Sequence, residues 1–159
     1  LSYKDENGNE NGEVFVIHRA PLSTHERFVA FLTEHWAGNF PTWLSPIQVQ
    51  IITISEKQKQ YASKVASILK ERKIRVSVDD SDATIGKKIR MHRKMRPAYM
   101  LILGEDEENG NTVSIRIDRK GDSRSGDQCN GVHLEQFIAD LTTEVNSRSL
   151  RLSLVTNEN

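Results

Sequence analysis

The sequence predicts an α/β fold with a mixed parallel and antiparallel sheet flanked by helices. Three observations carry that prediction. Ile47–Ile54 (IQVQIITI) begins as an alternating run and becomes continuously apolar, as a central strand does. A helix-period stretch and a second strand follow within about 30 residues, the span of a right-handed parallel crossover. Farther on, Asn109-Gly110 separates two apolar runs, a hairpin signal that adds an antiparallel pair.

Taken in order, Leu1 to Glu13 is polar, and KDENGNENG reads as a turn or loop. Val14–Ile17 is a short apolar run, expected as a strand. Ser23-Thr24 offers an N-cap for a helix over Thr24–Ala37, with Phe28, Phe31, Leu32 and His35 at helical spacing and Gly38 as the stop. GNFPTWLSP carries two prolines and reads as a linker, the best candidate boundary. After the central strand, Ser55 caps a helix whose apolar stripe is Tyr61, Val65, Ile68 and Leu69. Ile74–Val78 is the second strand. Ala83–Met95 is the next helix, with Ile85 and Ile89 inward and Arg96-Pro97 ending it. Tyr99–Leu103 (YMLIL) is a buried strand, Gly104–Asn111 an acidic turn, and Val113–Ile117 a strand that places Ser114 and Arg116 on one face. Asp118–Asn130 reads as a polar loop. Leu134, Phe137, Ile138 and Leu141 mark the last helix, and a frayed tail is expected from Arg148. The expected division is therefore 1–40, a linker at 41–46, a domain at 47–147 and a flexible tail at 148–159.

Composition narrows the function. The 159 residues hold 22 basic and 22 acidic side chains. Net neutrality excludes a binder driven by overall positive charge, which would bind nucleic acid through bulk salt-dependent attraction. A local patch remains: seven of the ten positions from Lys87 to Arg96 are Lys, Arg or His. Cys129 is the single cysteine, so an internal disulfide or a cysteine-based metal cluster is excluded, in keeping with a reducing, cytoplasmic setting. No apolar run has the length of a membrane span, so no membrane partner is expected. The first residue is Leu rather than Met, as expected of an excised fragment.

The residues that carry chemistry are few. His18 follows an apolar run, but zinc takes three or four protein ligands, and the histidines show no paired spacing. Glu26-Arg27 opens a helix, where arginine can pair with phosphate or simply cover a solvated face. Lys87, Arg90 and Lys94 share one helix face, and like charges there favour an anion. Glu107 and Arg116 lie near opposite ends of the same expected hairpin. A carboxylate accepts from base amino or imino groups, and arginine pairs bidentately with guanine O6 and N7; a surface salt bridge is the plainer alternative. No nucleophile–base pair or phosphate-cradling glycine loop is present, so no catalytic residue is assigned.

IHRAPLSTHERFVAFLTEHWAGNFPTWLSPIQV (Ile17–Val49) resembles the threonyl-tRNA synthetase family at the junction of the class II catalytic and anticodon-binding domains. The likeness continues through ISEKQKQYASKVASILKERKIRVSVDDSDATIGKKIR and PAYMLILGEDEENGNTVSIR, covers nearly the whole chain and is gapless from His18 to Arg116. It implies a strand–helix remnant of the catalytic domain with motif 3, then an anticodon-binding domain. The parent protein would be a threonine–tRNA ligase of protein biosynthesis. It would be homodimeric, use ATP and zinc, and load threonine onto its tRNA. The resemblance makes Arg27 an ATP contact and His18 one of three zinc ligands. The other two ligands and motifs 1 and 2 would lie upstream, so this fragment alone is expected to be inactive and to hold neither cofactor tightly. The resemblance also assigns Glu107 and Arg116 to anticodon reading, Arg90 and Arg96 to nearby RNA-facing positions, and Asp82 to a contact where bacterial members often carry Asn; Lys87 and Lys94 would hold backbone. The expected partner is the anticodon stem-loop of threonine tRNA. Ser23, where the family has Gly, and the loop Asp118–Asn130 depart from the pattern. A non-catalytic paralogue or accessory subunit that reuses the fold is the alternative.

Overall fold

The computed structural model describes residues 1–20, 22 and 24–155. It resolves into two compact units, Leu1–Leu32 and Thr33–Asn159.

In the first unit, Tyr3–Lys4 (β1) and Glu10–Asn11 (β2) form a small antiparallel pair. The turn between them is tied by Asp5, whose Oδ1 accepts from the amides of Asn7 and Asn9 at 2.9 Å. Val14–Ile17 forms no strand, contrary to expectation, and Phe15, Val16 and Ile17 are exposed. A strand needs a neighbour to satisfy its backbone groups, and no described segment of this unit pairs with this run. His25–His35 (α1) follows, with Thr33 to His35 counted in the second unit, and Thr24 Oγ1 accepts from the Arg27 amide at 3.4 Å, as an N-cap side chain does. Ser23, the other expected cap, lies outside the described residues. The helix ends at His35, two residues before the expected Ala37, and the chain turns away at Ala37 and Gly38, both with positive φ. It buries no residue.

The second unit is built on a five-stranded sheet. Val49–Thr53 (β3) is buried along its whole length and pairs in parallel with both Val76–Asp79 (β4) and Tyr99–Leu103 (β5). Thr112–Arg116 (β6) runs antiparallel to β5, and Gln128–His133 (β7) antiparallel to β6, giving the order β4-β3-β5-β6-β7. Ser55 caps a short 3-10 turn that leads into Lys59–Glu71 (α2), the crossover helix between β3 and β4. Ile85–Arg93 (α3) connects β4 to β5, and Leu134–Asn146 (α5) closes the fold. Along each strand the side chains alternate. Val49, Ile51, Tyr99, Leu101, Val113 and Ile115 face the core shared with α2 and α5, where Val65, Leu69, Phe137 and Leu141 are wholly buried. Gln50, Ile52, Met100, Ile102, Ser114 and Arg116 take the other face, in register across β3, β5 and β6.

Several expectations are corrected by this architecture. Gly104–Asn111 is not a hairpin turn, because Glu105–Gly110 (α4) is helical and Asn111 closes it in the left-handed region. Acids crowded at a helix start favour the helix, since their charge meets the positive end of its dipole. The hairpin signal still marks an antiparallel pair, β5 with β6. Asp118–Asn130 is not loop throughout, since β7 begins at Gln128. Its sequence, QCNGVH, turns only Cys129 and Val132 partly inward, which suits an edge strand and hides it from an apolar pattern. In α3, Ile85 and Ile89 are half-buried and Lys88 is the residue that is fully buried, its Nζ donating to Thr53 O at 3.0 Å.

Residues 41–46, the expected linker, lie within the second unit. The Arg75 guanidinium donates to the carbonyls of Trp43 and Ser45 at 2.8–2.9 Å, and Gln48 Nε2 donates to Thr42 O at 3.0 Å. The segment from Arg148, expected to fray, packs back on the core as far as Val155, which is fully buried. Its anchor is Glu144, a buried carboxylate that accepts from Thr42 Oγ1, from Tyr99 Oη at 2.8 Å and from the Ser153 amide at 2.8 Å. Burial and the nearby Glu144 charge push the Tyr99 phenol far above its ordinary range, so it stays a donor. Thr156–Asn159 lie outside the described residues.

Candidate nucleic-acid interface

Where β3, β5 and β6 present their second face, an open pocket of about 510 Å³ is lined by Ile54, Ile102, Glu107, Ser114, Gln128 and Asn130. Two apolar walls and a set of amide, hydroxyl and carboxylate groups suit a flat heteroaromatic ring with hydrogen-bonding edges.

Glu107 reaches this pocket because of how α4 starts. Its Oε2 accepts from the Gly104 amide at 2.9 Å and its Oε1 from Ser114 Oγ at 2.6 Å, so helix and strand hold the carboxylate between them. Gly104 permits the tight entry: a Cβ there would stand 2.7 Å from Ile54 Cδ1. Each carboxylate oxygen keeps a second lone pair for a ligand. Tyr61, behind α4, donates to Thr112 O at 2.7 Å, and burial with the nearby Glu107 and Glu108 charges raises its pKa.

Arg116 ends β6 on the same face as Ser114. Its Nε and Nη2 both donate to Asp118 Oδ2, at 3.2 and 3.1 Å, and Nη1 donates to Gln128 Oε1 at 3.3 Å. Asp118 is buried, and its other oxygen forms an ion pair with Arg93, 3.0 Å from Nε, and accepts from Ser125 Oγ at 2.9 Å. Asp118, Gln128 and Arg93 were missed by sequence reasoning as site residues. The available signal was the strand period, which puts Asp118 two positions beyond Arg116 and on its side of the sheet.

The helix α3 carries the basic patch. Lys87, Arg90 and, at the C-cap, Lys94 are exposed and have no ion-pair partner among the described residues. The helix is fastened to β4 by His92 Nε2 and Asp79 Oδ2 at 2.7 Å. Burial raises the Asp79 pKa, but hydrogen bonds from Ser81 and His92 outweigh it and leave the carboxyl below its ordinary value.

Other expected site residues are placed apart. Arg96 has a left-handed backbone, with φ of 51°, and its half-buried side chain runs against Gly38, where any Cβ would collide with the guanidinium. Asp82 is exposed after β4, 3.8 Å from Lys59 Nζ. His18 and Arg27 are exposed in the first unit. Among the described residues no group of three His, Cys, Asp or Glu side chains is placed to hold a metal, so the zinc site implied by the resemblance does not fit the residues around His18 alone. No helix among them is long and apolar enough to cross a membrane.

Residues 48–144 match a family model described as an anticodon binding domain. The chain is 44% identical over 153 residues to the threonine–tRNA ligase of Petrotoga mobilis, covering 96% of this chain and 23% of that protein. It is 50% identical over 137 residues to the threonine–tRNA ligase of Bacteroides fragilis, covering 86% and 20%. Among solved structures it is similar to the RNA binding domain of the threonyl-tRNA synthetase of Cryptosporidium parvum, with a TM-score of 0.69 and 38% identity over 80% of this chain and 30% of that one. The chain thus spans about a fifth of the length of the curated relatives it matches.

Proposed function

Because the chain belongs to the anticodon-binding domain family, we propose that it binds the anticodon stem-loop of threonine tRNA as the reading domain of a threonine–tRNA ligase. The observation that carries this reading is the convergence of Glu107 and Arg116 on one sheet face. One is an anchored acceptor, the other an anchored fork of donors, and they stand beside an apolar-walled pocket. Bases splayed out of a loop offer the complementary edges, which a duplex keeps hidden. Lys87, Arg90 and Lys94 on the neighbouring helix supply phosphate contacts, which hold the loop without reading it. Asp82, exposed beside α2, can accept from a base or a ribose hydroxyl at the margin of this surface. Arg96, turned toward Gly38, contributes by shaping the end of α3.

The ligase chemistry is proposed for a longer protein. Arg27 would meet ATP and His18 would ligate zinc only together with residues beyond this chain, so the chain by itself is expected to bind RNA without aminoacylating it. The longer protein would be a cytoplasmic homodimer.

Fluorescence anisotropy with labelled anticodon stem-loops, at fixed near-physiological salt, tests the reading. Tighter binding of the threonine-tRNA loop than of loops changed at the second or third anticodon base is the expected result. Equal binding of all loops would reduce the surface to a basic patch, and no binding would remove the chain from RNA recognition by itself.

A further inference from the structure

We propose that Asp118 is a positioning residue that sets the recognition edge of Arg116 and couples it to α3. The inference rests on the anticodon-reading function proposed above and adds a residue to it. A guanidinium has two edges able to form paired hydrogen bonds: the side edge of Nε and Nη2, and the end edge of Nη1 and Nη2. Asp118 Oδ2 occupies the side edge, at 3.2 and 3.1 Å. The end edge is therefore the one turned to a base, with Nη1 steadied by Gln128 Oε1 at 3.3 Å. A guanine offering O6 and N7 fits this edge, and a base lacking that acceptor pair does not.

The same carboxylate reaches the other recognition element. Its Oδ1 forms an ion pair with Arg93, in the last turn of α3, at 3.0 Å from Nε, and accepts from Ser125 Oγ at 2.9 Å. Only 6% of the Asp118 side chain is exposed, whereas 25% of Arg116 and 49% of Arg93 are. The anion is thus shielded while both cations keep an open side, an arrangement suited to presenting arginines rather than to burying them. Base-reading strand and phosphate-holding helix pivot on one buried carboxylate.

The test is a double-mutant cycle read by stem-loop anisotropy. Asp118→Asn keeps shape but puts an NH2 donor or a weaker acceptor against the arginines. It should lower discrimination between the threonine-tRNA loop and the loop changed at the base Arg116 reads by about tenfold, with little change in affinity for the altered loop. Asp118→Asn combined with Arg116→Ala should discriminate no worse than Arg116→Ala alone, because Asp118 acts through that side chain. Full discrimination retained by Asp118→Asn would overturn the proposal, as would equal losses on every loop or losses that add in the double variant. The unaltered chain provides a second readout that needs no variant. Its Arg116 Nε–H resonance should exchange slowly with water before RNA is added; exchange as fast as at the exposed Arg90 would overturn the proposal even if the loop is read. Failure of the unaltered chain to bind any loop would overturn both this inference and the reading beneath it.

Discussion

The outer face of α3 and the end of β6 both present cations, but in opposite physical states. Lys87, Arg90 and Lys94 stand in solvent without ion-pair partners among the described residues. Arg116 donates from all three nitrogens to Asp118 and Gln128. A long side chain carries about 2 kcal/mol of rotamer entropy, which must be lost to fix it in one geometry. At Arg116 the fold has already met most of that cost. The α3 cations need no fixed geometry, because a phosphate can be neutralised from many directions. Under the proposed anticodon reading the contrast is a division of labour: the group that would discriminate is held before binding, and the groups that would attract are left loose.

The largest expected effect breaks the contrast at its rigid end. Arg116→Ala should weaken binding of the threonine-tRNA loop by about 1–3 kcal/mol and erase preference at one base. A uniform loss across all loop sequences would place Arg116 with the α3 cations instead. Glu107→Gln comes next. Its NH2 would either face the Gly104 amide or turn Ser114 Oγ from donor to acceptor, and the charge that strengthens both bonds is lost, so thermal melting should show about 1 kcal/mol of lost stability, with weaker discrimination at a second base. Unchanged melting would show that the carboxylate is not clamped in solution. Lys94→Ala sharpens the loose end: every loop should bind slightly more weakly, and the slope of log K against log salt should become shallower by about 0.7–0.9. An unaltered slope would take Lys94 off the phosphate path.

The smallest expected effect concerns the fastening of α3. Because Asp79 has a lowered pKa in the folded protein, its paired carboxylate stabilises the fold above the ordinary value of 3.8, and that contribution disappears as pH falls through the lower folded value. Acid titration of Asp79→Asn should therefore be flatter than that of the unaltered chain below about pH 4. Parallel curves would show that the Ser81 and His92 hydrogen bonds to Asp79 together carry no stability.

Much of the second unit was legible from its residues. The alternating and continuous apolar runs at 47–54, 74–78 and 99–103 fall on β3, β4 and β5, and the stripe of Tyr61, Val65 and Leu69 is the buried face of α2. What stayed hidden has physical causes. The edge strand β7 faces water along most of its length, so its pattern is that of a loop. The short helix α4 is set by end charges and capping rather than by an apolar stripe. Val14–Ile17 has a strand's composition, but pairing is a property of neighbours and not of the run itself. At the candidate site, Glu107 and Arg116 could be named from residue chemistry and resemblance. Asp118 could not be assigned a role, because a hub is defined by partners that the chain brings from α3, β6 and the loop at Ser125.

The packing of Ser153 and Val155 places the chemical edge of this unit well beyond its last helix. Glu144 is an anion kept out of water, and two of its donors, the Ser153 amide and hydroxyl, arrive from the chain after α5. A protease that clips near Ser149 would remove no strand and no helix. It would leave a sequestered carboxylate short of donors, and such a group draws in water and loosens the surroundings that excluded it. The segment behaves as a stopper rather than a fringe, for it supplies donors to an internal anion and a buried side chain to the core.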